Sequence, residues 1–232
     1  GFRDFFVTSI NLLISIILAH FWDKHLVGVW FSLQAIFMVG DSLFRFKSES
    51  VMILRYKSGQ NKLAISSQYA IASGGATLVF IFSIFIIFAL KDVIFLKIQG
   101  INFVHLLLLI FSLTFSVLVT TYFYDLIKDG SFKKYNTIII TQAFLNFAVI
   151  AIATFFDIKN LFLLLIGQVL MWAAFVPNFF LELHKHAGYK NYIEIKEIVL
   201  TGLRFHIFAL LAGVQAQLSR IFAILYLGTE TV

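Results

Sequence analysis

Cysteine is absent from the 232 residues, proline occurs once, and charged residues make up only 13% of the chain. Without cysteine there is no disulfide framework and no thiolate metal site. A soluble domain carries about 25% charged residues, so too little charge is present to cover a globule of this size. An ordinary soluble domain, a disordered chain and a DNA-binding domain are excluded as first readings. The phosphate-binding glycine loop, the nucleophile elbow and paired acids in a cleft are missing too, and the chain reads as a non-enzyme without cofactor. His184 and His186 stand two apart and face different ways on a helix, which is not metal-ligand spacing. No cleavable signal peptide is recognisable, because the first apolar run lacks a small-residue cleavage site. The chain begins at Gly1 and ends at Val232 directly after an apolar run, and it reads as a fragment.

What is present is hydrophobic: 60% of all residues, with 29 phenylalanines and a mean hydropathy of +0.93. Seven stretches are almost free of charge: Phe5–Trp22, His25–Phe44, Leu63–Leu90, Ile98–Tyr124, Tyr135–Phe156, Asn160–Leu181 and Phe205–Thr229. A membrane-crossing helix needs roughly 20 mostly apolar residues. Backbone in lipid must satisfy its own hydrogen bonds, which favours helices. The alternation of a barrel strand is not seen. The expectation is therefore an all-α, polytopic membrane helix bundle of about seven transmembrane helices.

The bases are sorted between the connections. With seven spans, one side holds 13 Lys and Arg, from Arg3, the Arg45–Lys62 connection, Lys128–Lys134 and Lys185–Arg204; the other holds 4. Base-rich loops stay in the cytoplasm. The N-terminus is thus expected to be cytoplasmic, in a multi-pass protein of the cytoplasmic (inner) membrane. The net charge of +6 answers to membrane lipids rather than to nucleic acid. Residues Tyr192–Val199 have the pattern of a short amphipathic helix on the inner surface.

Polar residues within the spans either bond to neighbouring helices or line a wet cavity. Thr8, Asn11 and Ser15 share one face of span 1; Trp30, Gln34 and Asp41 share one of span 2. Gln142 and Asn146 form an i, i+4 pair in span 5, and His206, Gly213, Gln217 and Arg220 line one face of span 7. Interhelical hydrogen bonds, worth about 1 kcal/mol or less each, are the commoner reading of the uncharged ones, and the lining of a wet cavity is the alternative. Charge at bilayer depth costs at least about 2.5–3.5 kcal/mol. Arg220 either snorkels or pairs structurally, or it serves a water-filled substrate path. Asp41, one turn before Arg45, is either a helix-end ion pair or a functional acid, and it is the only acid available within the spans. Pro177 leaves the carbonyl of Ala173 without its usual donor and favours a kink.

Three stretches together resemble a known family: Asp23–Ser32 with Gly40-Asp41; Tyr122–Gly130; and Gly202–His206 with Leu218–Val232. They are similar to the polysaccharide biosynthesis transporters, or O-antigen flippases, of the multidrug/oligosaccharidyl-lipid/polysaccharide exporter superfamily. Val27-Gly28-Val29-Trp30 fits the family's outer turn after span 1, and Leu227-Gly228 through Val232 fits the end of span 7. Ser42 stands where the family has Gly after the Asp of span 2. The resemblance implies two bundles of six spans, so that residues 1–200 would be the first bundle and 201–232 the first helix of the second. It implies a flippase that moves a polyprenyl-pyrophosphate-linked oligosaccharide to the outer leaflet, alongside polysaccharide polymerase machinery. Arg220 and Arg45 would then meet phosphate, Gln217, Asn11, Gln34 and Asn146 would bond to sugar hydroxyls, and Asp41 is the ion-coupling candidate. A multidrug or cation exporter of the same superfamily has the same architecture but calls for an acid deep in the first bundle. A non-transporting seven-helix protein is the remaining class; a retinal protein is disfavoured, since span 7 has no lysine.

Overall fold

The computed structural model describes residues 2–44, 61–97, 101–186 and 195–202, together with 207, 211 and 215. Among them the regular structure is helical, without strands. The elements are α1 (Phe2–Phe21), α2 (Lys24–Phe44), α3 (Asn61–Lys97), α4 (Phe103–Lys128), α5 (Phe132–Phe155), α6 (Leu161–Ala173) and α7 (Val176–His186), followed by a helical segment over 195–202. Five stretches are long and apolar enough to cross a membrane: Arg3–Phe21, Ser66–Ala89, Phe103–Lys128, Phe132–Phe155 and Leu161–Lys185. The last combines α6 and α7. The expected second span corresponds to α2, which is not among the five, and the expected span Phe205–Thr229 lies outside the described residues except at 207, 211 and 215.

Short polar residues start these helices. Asp23 Oδ1 accepts from the backbone of His25 at 2.9 Å and Leu26 at 3.2 Å, and so begins α2. Asn102 and His105 satisfy each other's backbone N–H groups at 3.1 Å at the start of α4. Asn160 accepts from the Phe162 N–H at 2.9 Å to open α6. Such caps satisfy donors that a helix start leaves unpaired. The tight α4–α5 turn needs a left-handed residue, and Gly130 supplies it at φ 72°.

The kink expected at Pro177 is a break. The chain leaves regular helix after Ala173 and re-enters it at Val176. Phe175 N–H bonds Trp172 O at 3.1 Å and Asn178 N–H bonds Phe175 O at 3.1 Å, so the chain tightens through the gap. Proline lacks the N–H that would have reached Ala173, but suits the first turn of a new helix.

Helix α4 is central and packs against α2, α3, α5, α6 and α7. It is buried around most of its circumference, including Leu106, Leu109, Leu113, Val117 and Val119. A helix apolar on all sides belongs in the interior. The outer surface is also apolar: Ile81, Phe82, Phe85 and Phe88 of α3 are 53–68% exposed. Water does not tolerate so continuous an apolar patch, whereas acyl chains do.

Side-chain contacts fix the relative directions of the helices. Arg3 lies 5.3 Å over the Tyr135 ring, and Trp22 Nε1 donates to Thr154 Oγ1 at 2.7 Å, so α1 and α5 run parallel. Tyr69, early in α3, meets Asp125, late in α4, while Phe88 meets Phe103 at the opposite ends, so these two are antiparallel. Arg3, Lys128, Lys134 and Lys185 thereby gather at one end of the bundle, called the basic end below.

Of the amphipathic stretch Tyr192–Val199, residues 195–199 are described, within a helical segment over 195–202. Ile198 is fully buried and packs with Ile195 and Val199 on Ile71 of α3, while Lys196 and Glu197 are exposed. Part of its apolar face is thus buried against protein.

Candidate functional site

Among the described residues, polar groups enter the bundle at several levels. Midway along the helices, Gln34 Nε2 of α2 donates to Gln168 Oε1 of α6 at 2.9 Å. Gln142 of α5 donates to the Met171 carbonyl at 3.5 Å. Trp172 is stacked by Phe37 at 6.5 Å and approached by Phe123 at 6.3 Å, and its Nε1 is buried without a hydrogen-bond partner. Ser112 Oγ on α4 is likewise buried and unpartnered. A polar group buried in this way costs about 1–3 kcal/mol, so such groups in a core call for a reason.

One step toward the basic end, Ser116 Oγ of α4 donates to Asp41 Oδ1 of α2 at 2.7 Å. The helices can meet here because Gly40 has no side chain: a Cβ on it would stand 2.9 Å from Leu113 Cδ2. Ser112, Ser116 and Thr120 repeat every fourth residue, so one row of α4 is polar and buried.

At the basic end lies a charged node. Asp125 Oδ2 accepts from Tyr69 Oη at 3.0 Å, and Asp125 Oδ1 accepts from Lys128 Nζ at 2.6 Å. The side chains of Lys128 and Asp125 are only 3% and 7% exposed. Lys128 also reaches Asp129 at 3.5 Å. The Tyr69 ring packs on Phe179 of α7 at 5.1 Å, so the node joins α3, α4 and α7. Lys134 of α5 sits 5.5 Å over the Tyr122 ring. Tyr122 is 2% exposed and its Oη has no partner.

The sequence-derived candidates divide clearly. Gln34 is bonded to Gln168, and Asp41 to Ser116. Asn146 is half-buried on α5, one turn from buried Gln142. Asn11 is not in the interior: Thr8, Asn11 and Ser15 are all exposed, and Ser15 Oγ donates only to the Asn11 carbonyl, at 3.0 Å. Arg45, Gln217 and Arg220 lie outside the described residues.

One expectation is corrected. Asp41 is not the only acid inside the spans, since Asp125 lies within a stretch fit to cross a membrane. The uncharged run ends at Tyr124, so Asp125 and Lys128 read as loop residues in sequence. The available signal was their i, i+3 spacing, which lets the pair neutralise itself on one helix face. Gln168 and Ser116 carried no such signal. Their partners are 134 and 75 residues away.

Among the described residues no three metal-ligating side chains cluster. The chain matches no family model, no curated protein and no solved structure.

Proposed function

We propose that this chain belongs to a membrane transporter that flips a polyprenyl-pyrophosphate-linked oligosaccharide across the cytoplasmic membrane for surface polysaccharide assembly. The observation that carries the reading is the outward polar face of α1. Thr8, Asn11 and Ser15 point away from the bundle, on a helix long and apolar enough to cross lipid. The Ser15 hydroxyl is satisfied by the Asn11 carbonyl, but acyl chains offer the Asn11 amide no partner, so in this reading a wet path or a second set of helices faces it. A sugar head crossing the membrane requires a surface of this kind.

In this reading Asn11 meets the sugar directly, and Asn146 from the neighbouring α5. Gln34 meets it by exchanging its bond to Gln168. Arg220 and Arg45 offset the pyrophosphate charge, for which the guanidinium fork is suited, and Gln217 assists one turn away. Asp41 is the ion-coupling candidate; the Ser116 hydroxyl can donate to its carboxylate or accept from its protonated form. The basic end faces the cytoplasm by the base count of the loops. A cation exporter calls for an acid deep in the bundle whose charge is free for cargo. Asp125 does not meet that need, being at a helix end and neutralised by Lys128.

The test is glycan display from cells carrying the full-length gene with Arg220→Ala. The expected result is loss of surface glycan with normal membrane insertion. Wild-type display from that variant refutes the role of Arg220. Failure of the reconstituted parent protein to move labelled lipid-linked oligosaccharide between vesicle leaflets refutes the flippase reading itself.

A further inference from the structure

The central helix α4 begins with a reciprocal pair. Asn102 Oδ1 accepts from the His105 N–H at 3.1 Å, and His105 Nδ1 accepts from the Asn102 N–H at 3.1 Å. This is a capping box in which histidine takes the place usual for Glu or Gln. Glutamine accepts such a bond at every pH, whereas histidine adds a condition. A backbone N–H can only donate, so Nδ1 must keep its lone pair. The imidazole in the box is therefore neutral, with its one proton on Nε2.

The surroundings tighten that condition. His105 is 8% exposed, and its ring meets Phe162 of α6 edge-on at 6.5 Å. Phe162 lies in the first turn of α6, its N–H bonded to Asn160. The imidazole thus joins two helix starts at the end of the bundle away from the basic end. A second proton can go only to Nδ1. It would remove the bond from Asn102 and place a positive charge at the N-terminus of α4, where the helix dipole is already positive. The elements around it bring His20 of α1, Asp23, Lys24 and His25 at α2, Lys91, Asp92 and Lys97 of α3, and Asp157 and Lys159 before α6 to this end. Asp23 is engaged by the start of α2, and Asp157 pairs with Lys159 at 2.7 Å. Among the described residues burial alone, and no charged neighbour, bears on the ring.

We propose that His105 is an acid-sensitive fastener, which closes the α4–α6 seam while neutral and releases the first turn of α4 when it takes a second proton. The inference does not depend on what the protein transports. Its sign follows from the box. A free imidazole takes up its proton near pH 6.5. Well above that pH the box is intact. Below it the released form binds a proton that the box excludes, so the ratio of released to capped turn grows up to about tenfold per pH unit.

Absence of native cysteine allows a single nitroxide label on the full chain in detergent. On Val104→Cys, a 47% exposed position in the first turn of α4, the spectrum reads the ratio of mobile to immobile label. Between about pH 7.5 and 5.5 that ratio is expected to rise about tenfold in the parent background. It is expected to stay level in His105→Gln, which keeps the box and cannot titrate. The other five of the six histidines are present in both proteins, so the difference belongs to position 105. A label on Phe144→Cys of α5 is expected to show no change. In the parent, NMR of labelled histidine is expected to show one imidazole as the Nε2–H tautomer at neutral pH, with that signal missing from His105→Gln. A level ratio at Val104 in the parent overturns the proposal. So does an equal rise in His105→Gln, or an equal rise at Phe144, which would mean general acid unfolding. Finding no Nε2–H tautomer in the parent overturns it as well, and that measurement does not require the variant to fold.

Discussion

Lys128 can sit in the bundle with 3% of its side chain exposed because Asp125 Oδ1 is 2.6 Å from its ammonium. The attraction offsets a large desolvation cost, and the Tyr69 hydroxyl occupies the second carboxylate oxygen. Buried pairs of this kind are sensitive to loss of one partner and tolerant of loss of both. Lys128→Met and Asp125→Leu are each expected to destabilise by about 3–5 kcal/mol, read as thermal unfolding in detergent. The double variant is expected to recover most of the loss. Tyr69→Phe removes one hydrogen bond to a charged group, worth about 1.5–3 kcal/mol, and its expected cost is below that of either single charge deletion. Equal, additive losses from the two charge deletions would show that they do not act as a pair. At this scale the sequence spoke unevenly. Asp41 was legible as an acid within an apolar run, whereas Asp125 read as a loop residue because its neutralising lysine sits just beyond the run's end.

Among the elements, the α6–α7 break is the one that a single residue controls. Restoring the backbone donor with Pro177→Ala lets Ala173 O regain its partner, and α6 and α7 are expected to merge. A straight helix from Phe162 to Lys185 would span about 35 Å at 1.5 Å per residue. Spin labels at these positions are expected to approach that separation in the variant and to lie closer in the parent. A kink here is legible in the sequence because proline's missing N–H is a local property of the chain; that it is a full break is not. The docking of the 195–202 helix is not legible either, because its apolar stripe is compatible with a lipid surface or with α3. The choice depended on Ile71 being within reach.

For the molecule as a whole, the test is whether its apolar exterior meets lipid. Ile81 lies within the Ser66–Ala89 stretch and is 57% exposed. On a water-facing surface Ile81→Lys would be harmless. In lipid it is expected to oppose insertion by about 2.5–3.5 kcal/mol near the helix centre, measurable as loss of the protein from the membrane fraction. Cysteine placed at Ser58, within the Arg45–Lys62 connection, is expected to be labelled from the cytoplasmic side only. Labelling from outside the cell would reverse the proposed orientation and remove the basis for a cytoplasmic N-terminus.

Length, apolarity and the placement of bases are properties of consecutive residues, so the all-helical character, the approximate ends of α1 and α5 and the grouping of bases at one end follow from the sequence alone. Which side chains meet is a different matter. Helices that are apolar on nearly every side, α4 above all, carry little amphipathic signal from which to read their rotation, so the joining of Gln34 to Gln168, Ser116 to Asp41 and Tyr69 to Asp125 had no local signature. Packing decided it: Gly40 let α2 close on α4, the rotation of α4 turned its serine row inward, and the rotation of α1 turned Asn11 outward.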